Sequence, residues 1–145
     1  MLPDTNSQAS QAPAIVVEVS AGELLDKIGI LEIKRSRIAD PSARANVERE
    51  WRVLTEARDR NLCPPEELRD TLEQVAQELR TVNERLWDIE DAIRVCERDG
   101  DFGGTFVELA RAVYHENDRR AALKRQINQL VGSRLLEEKS YAASR

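Results

Sequence analysis

The chain of 145 residues has 2 cysteines, 1 histidine, 5 prolines, 6 glycines and only 4% aromatic residues. Each scarcity excludes something. Cys63 and Cys96 stand alone, outside any CxxC or Cys/His cluster, so neither a zinc site nor a disulfide framework is expected. Few aromatics, glycines and prolines argue against a sandwich or barrel. No run of 18 apolar residues exists, so no insertion into a membrane is expected. The opening MLPDTNSQASQAPA lacks the basic and apolar stretches of a secretory signal, which makes a cytoplasmic protein the expectation. A basic excess is missing as well. With 22 Lys+Arg against 27 Asp+Glu the formal net charge is −5, so no nucleic-acid partner is expected. No GxSxG, P-loop, HExxH or GxGxxG is present, and nothing asks for a metal or cofactor.

What is abundant is Ala, Leu, Glu and Arg, the composition of helices. The pattern predicts an all-α antiparallel bundle of about four helices with a short extended N-terminal segment. A disordered arm is expected over 1–13, one helical domain over 14–141 and a frayed tail over 142–145. Ile15, Val16, Val17 and Val19 form a β-prone run that must pack on the helices or pair with a copy of itself. Ser20 and Glu23 form a capping box that opens a helix over 21–38. Asp40-Pro41 separates it from a second, over 43–60.

Cys63-Pro64-Pro65 breaks the chain again before a helix over 66–98. Leu68, Leu72, Val75, Leu79, Val82, Leu86, Ile89, Ile93 and Cys96 follow one another at spacings of four and three. That unbroken seam is the strongest structural signal in the chain, and it leaves Cys96 buried. Asp99 to Gly104 reads as a turn, and Thr105 with Glu108 as a second capping box. The fourth helix is expected over 106–131 with Gly132 closing it. A short turn makes the third and fourth helices an antiparallel, coiled-coil-like hairpin. Residues 64–101 carry 12 acidic and 5 basic residues, whereas 106–145 carry 8 basic and 5 acidic, which favours that pairing.

Polar residues interrupt the faces that should be buried. On a wheel turning about 100° per residue, Asn117, Arg120, Lys124 and Asn128 share the face of Phe106, Leu109, Val113 and Ile127, with Tyr114 at its edge. His115 falls opposite and should be exposed. In the first helix Arg35 sits within the stripe Leu24, Leu25, Ile28, Leu31 and Ile38, and Glu32 lies beside it. In the third, Asn83, Trp87, Glu90 and Arg94 flank the seam. Such groups need partners when buried. Three readings stay open: a closed network that fixes helix register, a cleft for a small anionic ligand, and an interface with another subunit or protein. The candidate ligand-binding residues are Glu32, Arg35, Asn83, Trp87, Glu90, Tyr114, Asn117, Arg120, Lys124 and Asn128; no catalytic or metal-ligating residue is assigned. The acidic pairs Glu23/Asp26 and Asp88/Asp91 resemble those of all-α nucleotide pyrophosphohydrolases in type, but they lie far apart in the chain. Asp26 and Asp91 turn away from the apolar seams and are expected in solvent.

The segments VEVSAGELLDKIGILEIKRSRI (17–38), VNERLWDIEDAIR (82–94), FVELARAVYHENDRRAALKRQIN (106–128) and LEEKSY (136–141) together resemble a bacterial family of small helical proteins classed only as a domain of unknown function. Its members often accompany surface-polysaccharide and glycosyltransferase genes. The resemblance transfers no catalytic residue. It draws attention to Glu23, Asp26, Lys27, Glu32 and Lys34, to Asn83, Trp87 and Glu90, and to Arg111, Tyr114, Asn117, Asp118, Arg119, Lys124, Glu138, Lys139 and Tyr141. Two functions are weighed. One is a non-catalytic accessory or protein-interaction module, as a homodimer or with another protein, linked to surface-glycan assembly. The other is a small anionic-metabolite-binding protein or enzyme. Its model is the all-helical chorismate mutases, an analogy of architecture alone.

Overall fold

The computed structural model describes residues 12–136 and 138. It contains α1 (Ala21–Arg37), α2 (Pro41–Asn61), α3 (Glu66–Asp99) and α4 (Gly104–Val131), and no strand among the described residues. The expected arm, except for its last two residues, and the expected frayed tail lie outside the described residues. So do Glu137, Lys139, Ser140 and Tyr141 of the closing motif. Ile15, Val16, Val17 and Val19 form no strand within this chain and are exposed, from 93% at Ile15 to 44% at Val19.

Local chemistry sets most of the boundaries. Ser20 Oγ accepts from the Glu23 backbone N–H at 3.1 Å and starts α1. Asp40 Oδ2 accepts from the Ala43 N–H at 2.8 Å, and with Pro41 in the first turn α2 begins two residues earlier than expected. Gly100 and Gly132 take left-handed conformations, φ 66° and 65°, and close α3 and α4. One expected cap does not form. α4 starts at Gly104 with Gly103 as its cap, and Thr105 caps nothing. Asp101 Oδ1 accepts from the Gly103 N–H at 3.1 Å and folds the chain into the helix before Thr105 is reached.

The seam of α3 pairs with α4 as an antiparallel hairpin. Its core is Leu72, Val75, Leu79, Val82, Leu123 and Ile127, all buried. Cys96 is buried too. Farther from that core Leu86, Ile89, Ile93, Phe106, Leu109 and Val113 are only half-buried, and Val95, Phe102, Val107 and Tyr114 are exposed. α2 touches α1 but neither hairpin helix, so it covers none of the seam.

α1 lies between α2 and the hairpin and touches all three other helices. It therefore needs two buried faces. Leu31 and Ile33, two positions and so about 200° apart, are 3% and 2% exposed. Leu24, Ile28, Leu31 and Arg35 make one stripe. Gly22, Asp26, Gly29 and Ile33 make the other at the same spacing. Arg35 meets α2, while Gly22, Asp26 and Gly29 meet the hairpin.

Candidate functional site

The second stripe of α1 is where the polar groups converge. Asp26, expected in solvent, is 1% exposed. Arg120 grips it with both arms, Nε to Oδ1 at 2.9 Å and Nη2 to Oδ2 at 2.5 Å. Asn83 Nδ2 donates to the same Oδ1 at 2.9 Å. One carboxylate thus ties α1 to both hairpin helices, with the fork geometry that makes Arg–carboxylate pairs strong and directional. The expectation for Asp26 fails because α1 has two buried faces, and only the more apolar one is conspicuous in the sequence. Asp91 is exposed, as expected.

One turn earlier in α1, Lys124 Nζ lies 2.7 Å from Glu23 Oε2. Asn128 Oδ1 accepts from the Gly22 N–H at 2.7 Å, and Ser133 Oγ accepts from the Ala21 N–H at 3.3 Å. With Ser20 Oγ taking the Glu23 N–H, the orphan N–H groups of the first three residues of α1 all find side-chain acceptors, and the Leu24 N–H makes the first regular helix bond, to the Ser20 carbonyl. Two of them are met from the other end of the chain. Gly22 is required by this approach: a Cβ there would lie 2.4 Å from the Lys124 carbonyl oxygen.

The remaining candidates fall elsewhere. Arg35 donates to Glu48 through Nε at 2.7 Å and Nη2 at 3.1 Å, and its guanidinium stacks 3.8 Å from the centre of the Trp51 ring. Glu32 accepts from Arg80 Nη1 at 2.8 Å. These four charged groups line an open cleft of about 710 Å³ with Pro41 and Arg44. Tyr114 is exposed, its ring 4.5 Å from that of His115, which is exposed as expected.

A second cleft, of about 550 Å³, lies where α1 leaves the hairpin. Ile30, Ile33 and Leu86 supply its apolar lining. Asn83, Trp87, Glu90, Asp91, Arg94, Asn117 and Arg120 supply the rest. Five of the ten candidates meet here: Asn83, Trp87, Glu90, Asn117 and Arg120. Trp87 lies beneath the Arg37 guanidinium, 5.7 Å from its ring centre. Arg37 also donates to Asp88, which holds its guanidinium above the ordinary arginine range.

Sequence reasoning missed Glu23, Asp26, Glu48 and Arg80 as partners in these networks. Gly22, Asp26, Gly29 and Ile33, spaced by four, three and four, carried a signal for the hairpin-facing side of α1. No group of three or more His, Cys, Asp or Glu suited to a metal occurs among the described residues, and no described helix is long and apolar enough to cross a membrane.

The class defined by these features is an all-α protein with a long antiparallel hairpin and a first helix docked on it through polar groups. Residues 15–144 match the model of a family of unknown function, DUF6165, and the chain belongs to that family. No curated protein and no solved structure matches it.

Proposed function

We propose that the chain is a non-catalytic accessory module that binds another protein through the free end of the α3–α4 hairpin. The observation that carries this reading is the contrast between the two ends of α4. At one end Arg120, Lys124 and Asn128 face this chain's own Asp26, Glu23 and Gly22, in contacts that hold α1. At the other, Phe102, Val107 and Tyr114 stand 55%, 51% and 50% exposed. Clustered exposed apolar groups mark interaction surfaces. Phe102 packs edge-on against Phe106 with ring centres 5.3 Å apart, so the patch is ordered.

Charge selects the partner. Residues 84–111 carry 8 acidic and 4 basic residues. A second copy would bring the same acidic end, so a basic surface on a different protein fits better. The family resemblance extends the reading to a place beside the enzymes of bacterial surface-glycan assembly. The anionic-metabolite reading has less support, because the cations it would use already face carboxylates of this chain.

A photo-crosslinking amino acid at Val107 or Tyr114, in the cells that make the protein, tests this. Both positions are expected to give one discrete adduct with another protein. Val53, on α2 and 58% exposed, is expected to give none. Adducts of equal pattern at all three positions, or none at any, overturn the proposal.

A further inference from the structure

The geometry points to the cleft of α1, α3 and α4 as a receptor for one apolar side chain of a partner polypeptide, flanked in the partner by Lys or Arg. This rests on the reading of the chain as an interaction module, though not on what the hairpin end binds. The apolar part of the cleft, formed by Ile30, Ile33, Leu86 and Trp87, has room for a large side chain within about 550 Å³. Asn83 is 6% exposed. Its Nδ2 donates to Asp26, and its Oδ1 receives no hydrogen bond among the described residues. That oxygen is not among the fully buried atoms left without a partner, so it is open to water from the cleft, and a polypeptide backbone N–H can replace that water.

The rim completes the match. Glu90 and Arg94 stand four residues apart on α3 in the order that favours an ion pair. Neither forms one among the described residues, and both line the cleft. Arg120, the other cation of the cleft, faces Asp26. Glu90 and Asp91 therefore outweigh Arg94, and a basic flank is preferred to an acidic one. The cleft is also wide at the mouth, where Glu90, Asp91 and Arg94 are exposed. A free metabolite would remain largely in water there, unlike ligands of enclosed pockets. A polypeptide brings its own cover for the rim.

The test is selection from a random-peptide phage library on the purified full chain, followed by affinity measurement with the selected peptides. The expected consensus is a large apolar residue next to Lys or Arg. Its affinity is expected to fall about tenfold or more in Trp87→Ala, as for a buried anchor contact. It should fall likewise in Glu90→Lys, which alters an exposed side chain and leaves the core intact. Circular dichroism of both variants shows whether each folds. No consensus, or a consensus that binds both folded variants as well as the parent chain, overturns the proposal. So does N-acetyl-leucinamide binding as tightly as the peptides, which would make the cleft a small-molecule site. A partner adduct at Val107 combined with peptides indifferent to Glu90→Lys would leave the hairpin-end reading standing and remove this one. Peptide binding sensitive to both variants, with no adduct at Val107, would do the reverse.

Discussion

α4 packs against two neighbours by different physics. Toward α3 it presents Leu123 and Ile127 to Leu72, Val75, Leu79 and Val82, a dry apolar seam. Toward α1 it presents Arg120, Lys124 and Asn128 to a carboxylate, a second carboxylate and a backbone N–H. The first interface is non-directional, built from apolar side chains that any apolar neighbour can cover. The second is directional. A bidentate arginine and a capped helix start fix where α1 lies along the hairpin and how it is rotated. The pairing of unlike interfaces separates two tasks, cohesion and register.

The largest effect should come from breaking the polar interface at its centre. Asp26→Ala takes from Arg120 and Asn83 the buried carboxylate they share, and removal of one partner from a buried pair typically costs about 3–5 kcal/mol. For a domain of this size that lowers the melting temperature by on the order of 10 °C. The triple variant Asp26→Leu, Asn83→Leu, Arg120→Met removes the whole group together, and most of the lost stability is expected to return. If the single variant melts within a degree or two of the parent chain, the ion pair does not hold α1. The comparison between the two interfaces then collapses.

A smaller effect, of opposite sign to the usual rule, is expected at Gly22. Replacing glycine by alanine inside a helix normally stabilises by roughly 0.5–1 kcal/mol. At Gly22 the new Cβ would meet the Lys124 carbonyl oxygen at 2.4 Å and Asn128 Oδ1 at 2.9 Å, and the first is backbone. α1 must lift, and Gly22→Ala should lose about 1–3 kcal/mol, in the range of overpacked sites. Gly29, two turns on and on the same face, has only the Arg80 Cβ near, at 3.9 Å. Gly29→Ala should follow the usual rule and stabilise. Urea melts of both variants compare the tight start of α1 with its looser middle, and the same sign at both positions would refute the close-docking account.

The two interfaces also differ in how plainly the sequence announces them. The apolar seam is written as a spacing of four and three over nine positions of α3, and the hairpin, its antiparallel sense and the burial of Cys96 follow from it. The polar interface is visible only as misplacement. Asn117, Arg120, Lys124 and Asn128 stand on a face that should be apolar, but nothing local names the partners of the last three, which lie about a hundred residues away in α1. Asp26 is the clearest case. By the wheel of the Leu24–Leu31 stripe it points to water, and only the placement of α1 between two neighbours turns that direction inward. Amphipathic patterning assumes one buried side per helix, so a central helix with one apolar and one mixed side defeats it. The cap at Thr105 fails for a related reason: a side chain outside the motif, Asp101, turns the backbone first.

The smallest effect on stability should come from the hairpin end, where the apolar seam runs past both α1 and α2. Val107 and Tyr114 are seven residues apart on one flank of α4 and about half exposed. Serine at both positions removes little buried surface, so the melting temperature should change by no more than the equivalent of about 0.5 kcal/mol, as for ordinary surface substitutions. A residue kept for cohesion would cost more. What should change is association. With the crosslinker moved to the neighbouring exposed Phe102, the adduct expected for the parent chain should be lost in the serine double variant while the fold persists. If the adduct survives, the exposed flank is not the contact. If instead the double variant melts as far below the parent chain as Asp26→Ala does, then this end of the hairpin contributes to cohesion after all. The division between a base built for stability and an end left open for a partner would then be wrong.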